Sequence, residues 1–174
     1  MVLNKDSNCT EAMSVLGMLL QMTGRSQESA GFYQQILALQ PDNVIAINNL
    51  AWIMCEDQGK FQQALELTER GLKISPNYID LIDTRGVAYY RLGEFNKAIQ
   101  DFTDCLKLYP GTAPSGTATR FHLARAFAAL GEKNKAIEHL KQVLNIESQT
   151  KGLSAKDLAE AQRLLDELSK KEGG

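Results

Sequence analysis

Few residues of this 174-residue chain have both the type and the spacing that chemistry requires. Asp80 and Asp83 stand one helical turn apart, as a general acid and base sharing a site would. No perturbing neighbour is visible in the sequence, so a surface or groove pair is the better reading. His122 and His139 fall on different helical segments, with no carboxylate or cysteine at ligand spacing; solvated or groove-lining histidines are expected. Cys105 occupies a small apolar helix position and reads as a structural thiol rather than a nucleophile. Cys9, Cys55 and Cys105 are odd in number and widely spaced, without a CxxC pair, which fits neither a disulfide framework nor a zinc site. Gly111 and Gly116 mimic the spacing of a phosphate loop, but Thr117-Ala118 follows instead of Lys-Ser/Thr, and a helix precedes instead of a strand. Asn8-Cys9-Thr10 fits a glycosylation sequon, which means little without a secretion signal. The expectation is a chain with no catalytic, metal or cofactor-binding set.

Composition narrows the partners. Net charge is −2 with no Lys/Arg cluster, which disfavours nucleic acid and anionic membranes. Apolar content of 44% and charged content of 23% fit a packed globular chain. No apolar run is long enough to span a bilayer, and MVLNKDSN lacks the apolar core of a signal peptide. The unpaired cysteines point to a reducing, cytoplasmic setting; a periplasmic one stays open if the chain is part of an exported protein.

The elements that must position any site are set by self-similarity. Four eighteen-residue segments superpose, beginning at Gly24, Gly59, Gly93 and Gly131, whose separations are 35, 34 and 38 residues. Each reads as a glycine turn followed by an amphipathic helix. In the third, Phe95, Ala98, Ile99, Phe102, Cys105, Leu106 and Leu108 recur at helical spacing. Pro41, Pro76 and Pro110 stop three of these helices, and the glycines suit the left-handed position just past the preceding helix. Ahead of each glycine lies another helix, patterned Met13, Leu16, Gly17, Leu20; Ile47, Leu50, Ala51, Met54; Ile82, Gly86, Tyr89; and Leu123, Ala124, Phe127. Gly17, Ala51, Gly86 and Ala124 share one place, where a small side chain lets antiparallel helices approach closely. Ala64, Ala98 and Ala136 face that gap from the second helix.

With a period of about 34 residues and this pattern, the chain resembles the tetratricopeptide repeat family. The third unit matches best, through Gly86, Tyr89, Gly93, Ala98, Phe102 and Pro110. Arg85, Thr68, Ser29 and Ser148 depart from the usual Leu, aromatic, Ala and Pro. The resemblance covers about residues 10–148 and has a flavour of bacterial members. It implies an all-α fold: a right-handed α-solenoid of about four helix-turn-helix repeats plus a C-terminal capping helix. The repeats are expected at 9–43, 44–78, 79–112 and 113–150, with the cap in 151–174.

Both ends carry expectations. Residues 153–168 form one more amphipathic helix, opened by a capping-box-like Ser154 and Asp157, with a wet side that includes Glu160. Residues 2–7 resemble 143–148, so residues 1–8 are expected to be the tail of a preceding repeat, with a natural short cap as the alternative. The GTAPSG run at 111–116 lengthens the third period and is expected to alter the stacking there.

The resemblance further implies a concave groove lined by the first helix of each repeat. Its expected peptide-contacting residues are Met18, Asn48, Asn49, Trp52, Asp83, Val87, Tyr90, Arg91, Phe121 and Arg125, with Cys55 at its edge. Met18, Trp52, Tyr90 and Phe121 would be anchors, Asn48 and Asn49 would bond a peptide backbone, and Arg91 and Arg125 would take carboxylates. For Trp52, packing against the neighbouring repeat is an equal reading. The family's clamp for chaperone C-termini does not fit, since only Asn49 matches its set and Asp80 brings the wrong charge. Two functions remain: a noncatalytic scaffold binding a peptide or helix of a protein partner, or an assembly module, including homo-oligomerisation, of a larger protein.

Overall fold

The computed structural model describes residues 3–109 and 116–170, and among these it contains nine helices and no strand. In order they are α1 (Leu3–Met22), α2 (Ser26–Leu39), α3 (Val44–Glu56), α4 (Phe61–Ile74), α5 (Ile79–Arg91), α6 (Phe95–Leu108), α7 (Thr117–Ala129), α8 (Lys133–Thr150) and α9 (Ala155–Lys170). This is the expected all-α repeat architecture, in which helix pairs are joined by short turns. The four turn glycines, Gly24, Gly59, Gly93 and Gly131, all have positive φ (76°, 64°, 80° and 85°), a conformation that costs glycine nothing. The chain divides into two compact units, residues 1–88 and 89–174.

In the first unit α1 packs on α2, α2 on α3 and α3 on α4. Its core joins Ala30, Tyr33 and Ile36 of α2 to Ala46, Leu50 and Ile53 of α3. Asn43 caps α3 by accepting from the Ala46 N–H at 3.0 Å. Ser29, a departure from the repeat pattern, is fully buried and donates to the Gly17 carbonyl at 2.7 Å, tying α2 to the place where α1 lacks a side chain. Thr68 departs differently. It and Gly71 stand on α4 where α2 has Tyr33 and Ile36 and α6 has Phe102 and Cys105. The thin face so created admits Leu81, whose Cδ1 would lie 2.6 Å from a Cβ added at Gly71.

One expectation shifts here. Leu16, assigned to the apolar stripe, is 43% exposed, because no second helix among the described residues covers its side of α1. Its equivalent in α3, Leu50, is covered by α2. Residues 3–8, for which the tail of a preceding repeat is the expectation, are helical and lie within α1.

In the second unit α6 packs on α7, α7 on α8 and α8 on α9. Phe121, Ala124, Leu140, Val143 and Ala161 form its core, with Leu153, Leu164, Leu165 and Leu168 of the C-terminal segment packed on it. Ser148 leaves α8 without the proline that ends other repeats, and the helix continues to Thr150. Lys151 then turns the chain at φ 50°, and the Glu147 carboxylate accepts from the Gly152 and Leu153 N–H groups at 2.7 and 2.9 Å. The expected cap of α9 forms: Ser154 Oγ accepts from the Asp157 N–H at 3.1 Å and donates to its carboxylate at 2.6 Å. Apart from Gly116, the GTAPSG run lies outside the described residues, as does Pro110.

Candidate functional site

On α3 of the first unit, Asn48 and Trp52 are one turn apart and both half-buried, with Asn49 beside them. Asn48 is not free to serve a ligand with its whole amide: Thr84 Oγ1 donates to its Oδ1 at 2.8 Å, linking α3 to α5. The Asn48 N–H donors are the part that can meet an incoming backbone carbonyl. Met18 on α1 is 52% exposed and Asp83 on α5 is half-buried. Val87 and Cys55, also expected in the groove, are 4% and 2% exposed and give a ligand almost no surface. Asp80 is exposed, yet crowding by the chain and then the charge of Asp83 raise its carboxyl above the ordinary value.

The opposite side of α3 borders a cavity. Leu50 and Met54 lie about 200° around the helix from Asn48 and Trp52. With Leu37 of α2 and Leu67 of α4 they floor a cavity of about 430 Å³, rimmed by Glu66 and Arg70. Nothing in the sequence pattern marked it, because these residues read as core.

In the second unit three of the expected residues, Tyr90, Phe121 and Arg125, form one cluster. The Arg125 guanidinium lies over the Tyr90 ring, 4.8 Å from its centroid, and 5.6 Å from that of Phe121. Tyr90 in turn tilts against Phe95 with centroids 5.7 Å apart. Arg91 is half-buried at the end of α5. Phe121 is only 1% exposed, because α7 turns it into the core with Leu140, Val143 and Ala161; it is a floor under Arg125 rather than an anchor. Glu160 of α9, expected only on the wet side of the cap, places Oε1 3.1 Å from Arg125 Nε.

Both histidines are half-buried rather than fully solvated. His122 is half-buried against Phe102 (5.4 Å) and Phe121 (6.4 Å). His139 stacks on Phe127 at 5.5 Å, the ring planes nearly parallel at 8°, with its buried Nδ1 lacking a hydrogen bond. Burial holds its imidazole below the ordinary value; Glu138 opposes that shift and Arg120 adds to it. Neither is a solvated base. Cys105 is fully buried, 3.7 Å from Thr119 Oγ1, as a structural thiol should be. Among the described residues no group of His, Cys, Asp or Glu could hold a metal ion, and no helix is long and apolar enough to cross a membrane.

Two tetratricopeptide repeat family models match, at residues 32–66 and 78–148, together more than half of the chain. The chain belongs to the tetratricopeptide repeat family. Among solved structures it is similar to a thermophilic protein of this family from Thermus thermophilus, with TM-score 0.76 and 22% identity over 94% of this chain and 83% of that one, a likeness of fold. Among curated proteins it is 27% identical over 131 residues to the CTR9 homolog of Arabidopsis thaliana, covering 75% of this chain and 12% of that protein. It is 27% identical over 107 residues to the human NatB auxiliary subunit N-alpha-acetyltransferase 25, covering 62% of this chain and 11% of that protein. The chain thus spans about an eighth or less of the length of these two relatives.

Proposed function

We propose that this chain is a noncatalytic protein-interaction scaffold that binds a peptide or helix of a partner protein on the first-helix faces of its repeats. In the first unit that face carries Met18, Asn48, Asn49, Trp52 and Asp83; in the second it carries Tyr90, Arg91 and Arg125. The observation that carries the reading is that half-exposed polar and aromatic groups on these faces are held by neighbours rather than free to rotate. Thr84 fixes Asn48, and the Tyr90 ring holds Arg125. Groups ordered before a ligand arrives lose less entropy on binding, which favours affinity. One relative is named as the auxiliary subunit of NatB, which supports a place in an assembly. Capture of a partner from the source organism, followed by titration calorimetry, tests the proposal. Trp52→Ala and Tyr90→Ala should each weaken binding about tenfold or more, and unchanged affinity in both would contradict it.

A second reading has its own observation. Val15, Leu16, Met18, Leu19 and Met22, between 43% and 78% exposed, gather on α1. Such a patch favours an assembly role. Light scattering decides it: a mass independent of concentration removes this reading, whereas association abolished by Leu19→Glu supports it.

A further inference from the structure

Arg125 also carries information about the chemistry of the partner, an inference that rests on the proposed interaction role. Its side chain is 17% exposed and that of Glu160 is 28% exposed. The two are close enough to neutralise one another, yet the buried Arg125 Nε has no aligned hydrogen bond. A guanidinium offers five donors in a planar fork, and a charge pair through one misaligned nitrogen uses little of that capacity. The Tyr90 ring, 4.8 Å away, and the buried Phe121 ring beneath hold the guanidinium in place.

We propose that Arg125 is the receptor for an acidic side chain of the partner, and that Glu160 is its internal occupant, displaced when the partner binds. Replacing one carboxylate by another keeps the cation compensated, so the exchange leaves no isolated charge in a partly buried place. Glu160 can also leave without undocking its helix. α9 is anchored by Ala161, Leu164, Leu165 and Leu168, and by the hold of Glu147 on the turn before it. The C-terminal helix therefore acts as a competitor as well as a cover. It sets a threshold that a neutral or basic ligand group does not overcome.

The test monitors the Nε–Hε signal of Arg125 by NMR in the full chain. Two probes are titrated, acetylated and amidated tri-glutamate and tri-glutamine. Tri-glutamate should shift the signal and tri-glutamine should not. Glu160→Gln should tighten the tri-glutamate response by a factor on the order of 3–10, since an internal competitor lowers apparent affinity by the fraction of sites it occupies. The double variant Arg125→Gln with Glu160→Gln, which leaves no uncompensated charge, should stay folded by circular dichroism and lose the preference for glutamate, read there from the Tyr90 ring signals because the Arg125 probe is gone. Equal responses to both peptides, no response to either, or no tightening in Glu160→Gln would overturn the proposal. The calorimetry of Trp52 and Tyr90 variants is read independently. A failed acid preference leaves the interaction reading standing, and unchanged partner affinity in those variants sinks that reading whatever the probes do.

Discussion

The hydroxyl of Thr84 donates to the side-chain oxygen of Asn48 across 2.8 Å, joining two first helices that lie one repeat apart. Thr84→Val keeps the shape and removes the donor, leaving the partly buried Asn48 oxygen unsatisfied. Such a loss costs about 1–3 kcal/mol. Thermal unfolding should show a lower Tm, and Asn48→Ala added to Thr84→Val should cost little more.

Two glycines should respond oppositely to alanine. At Gly71 the new Cβ would meet Leu81 Cδ1 at 2.6 Å and Ile47 Cγ2 at 2.9 Å, while Gly31 in α2 has open space. Overpacking costs about 1–3 kcal/mol, and alanine is favoured over glycine in a helix by about 1 kcal/mol. Denaturant titration should find Gly71→Ala less stable than the parent and Gly31→Ala more stable.

Glu147 is the restraint on the C-terminal helix. Hydrogen bonds to a charged group are worth about 1.5–3 kcal/mol, and its carboxylate holds two backbone N–H groups of the turn before α9. Glu147→Ala should speed amide exchange in α9 more than in α6 and α7. Glu147→Gln, which keeps an acceptor, should lie between it and the parent.

His139 should make stability depend on pH. Its folded value lies below the ordinary imidazole value, so the unfolded chain binds more protons in the interval between the two. Stability from this group is complete above about pH 6.5 and falls as pH drops through that interval. The Tm measured from neutral to mildly acid pH should fall less steeply in His139→Phe than in the parent.

The helix pairs were legible because period, turn glycines and stop prolines are local signals. The end of the chain was legible too, since Ser154 and Asp157 form the cap their spacing implies. What sequence could not give was the rotation of each helix about its axis. Val87 and Phe121 sit at the register of the expected groove, but neighbouring helices cover them. Glu160 looked like an ordinary solvated acid, since its partner lies on another helix. At Gly17 an added Cβ would lie 3.0 Å from the Tyr33 ring, as the repeat position implies, whereas the approach of Leu81 to Gly71 follows from Thr68 thinning that face of α4. The partner is not written in the repeat pattern, which encodes the packing of helix on helix.

On the proposed reading a partner touches Trp52 and Asn48 on the face of the first unit, Tyr90 on that of the second, or both. Side-chain NMR of the full chain, with and without a captured partner, reads those contacts one by one. The Trp52 indole N–H and Asn48 amide signals, the Tyr90 ring signals, or both sets should shift on binding. Shifts confined to α2, α4 and α8, with those three signals unmoved, would contradict the proposed function.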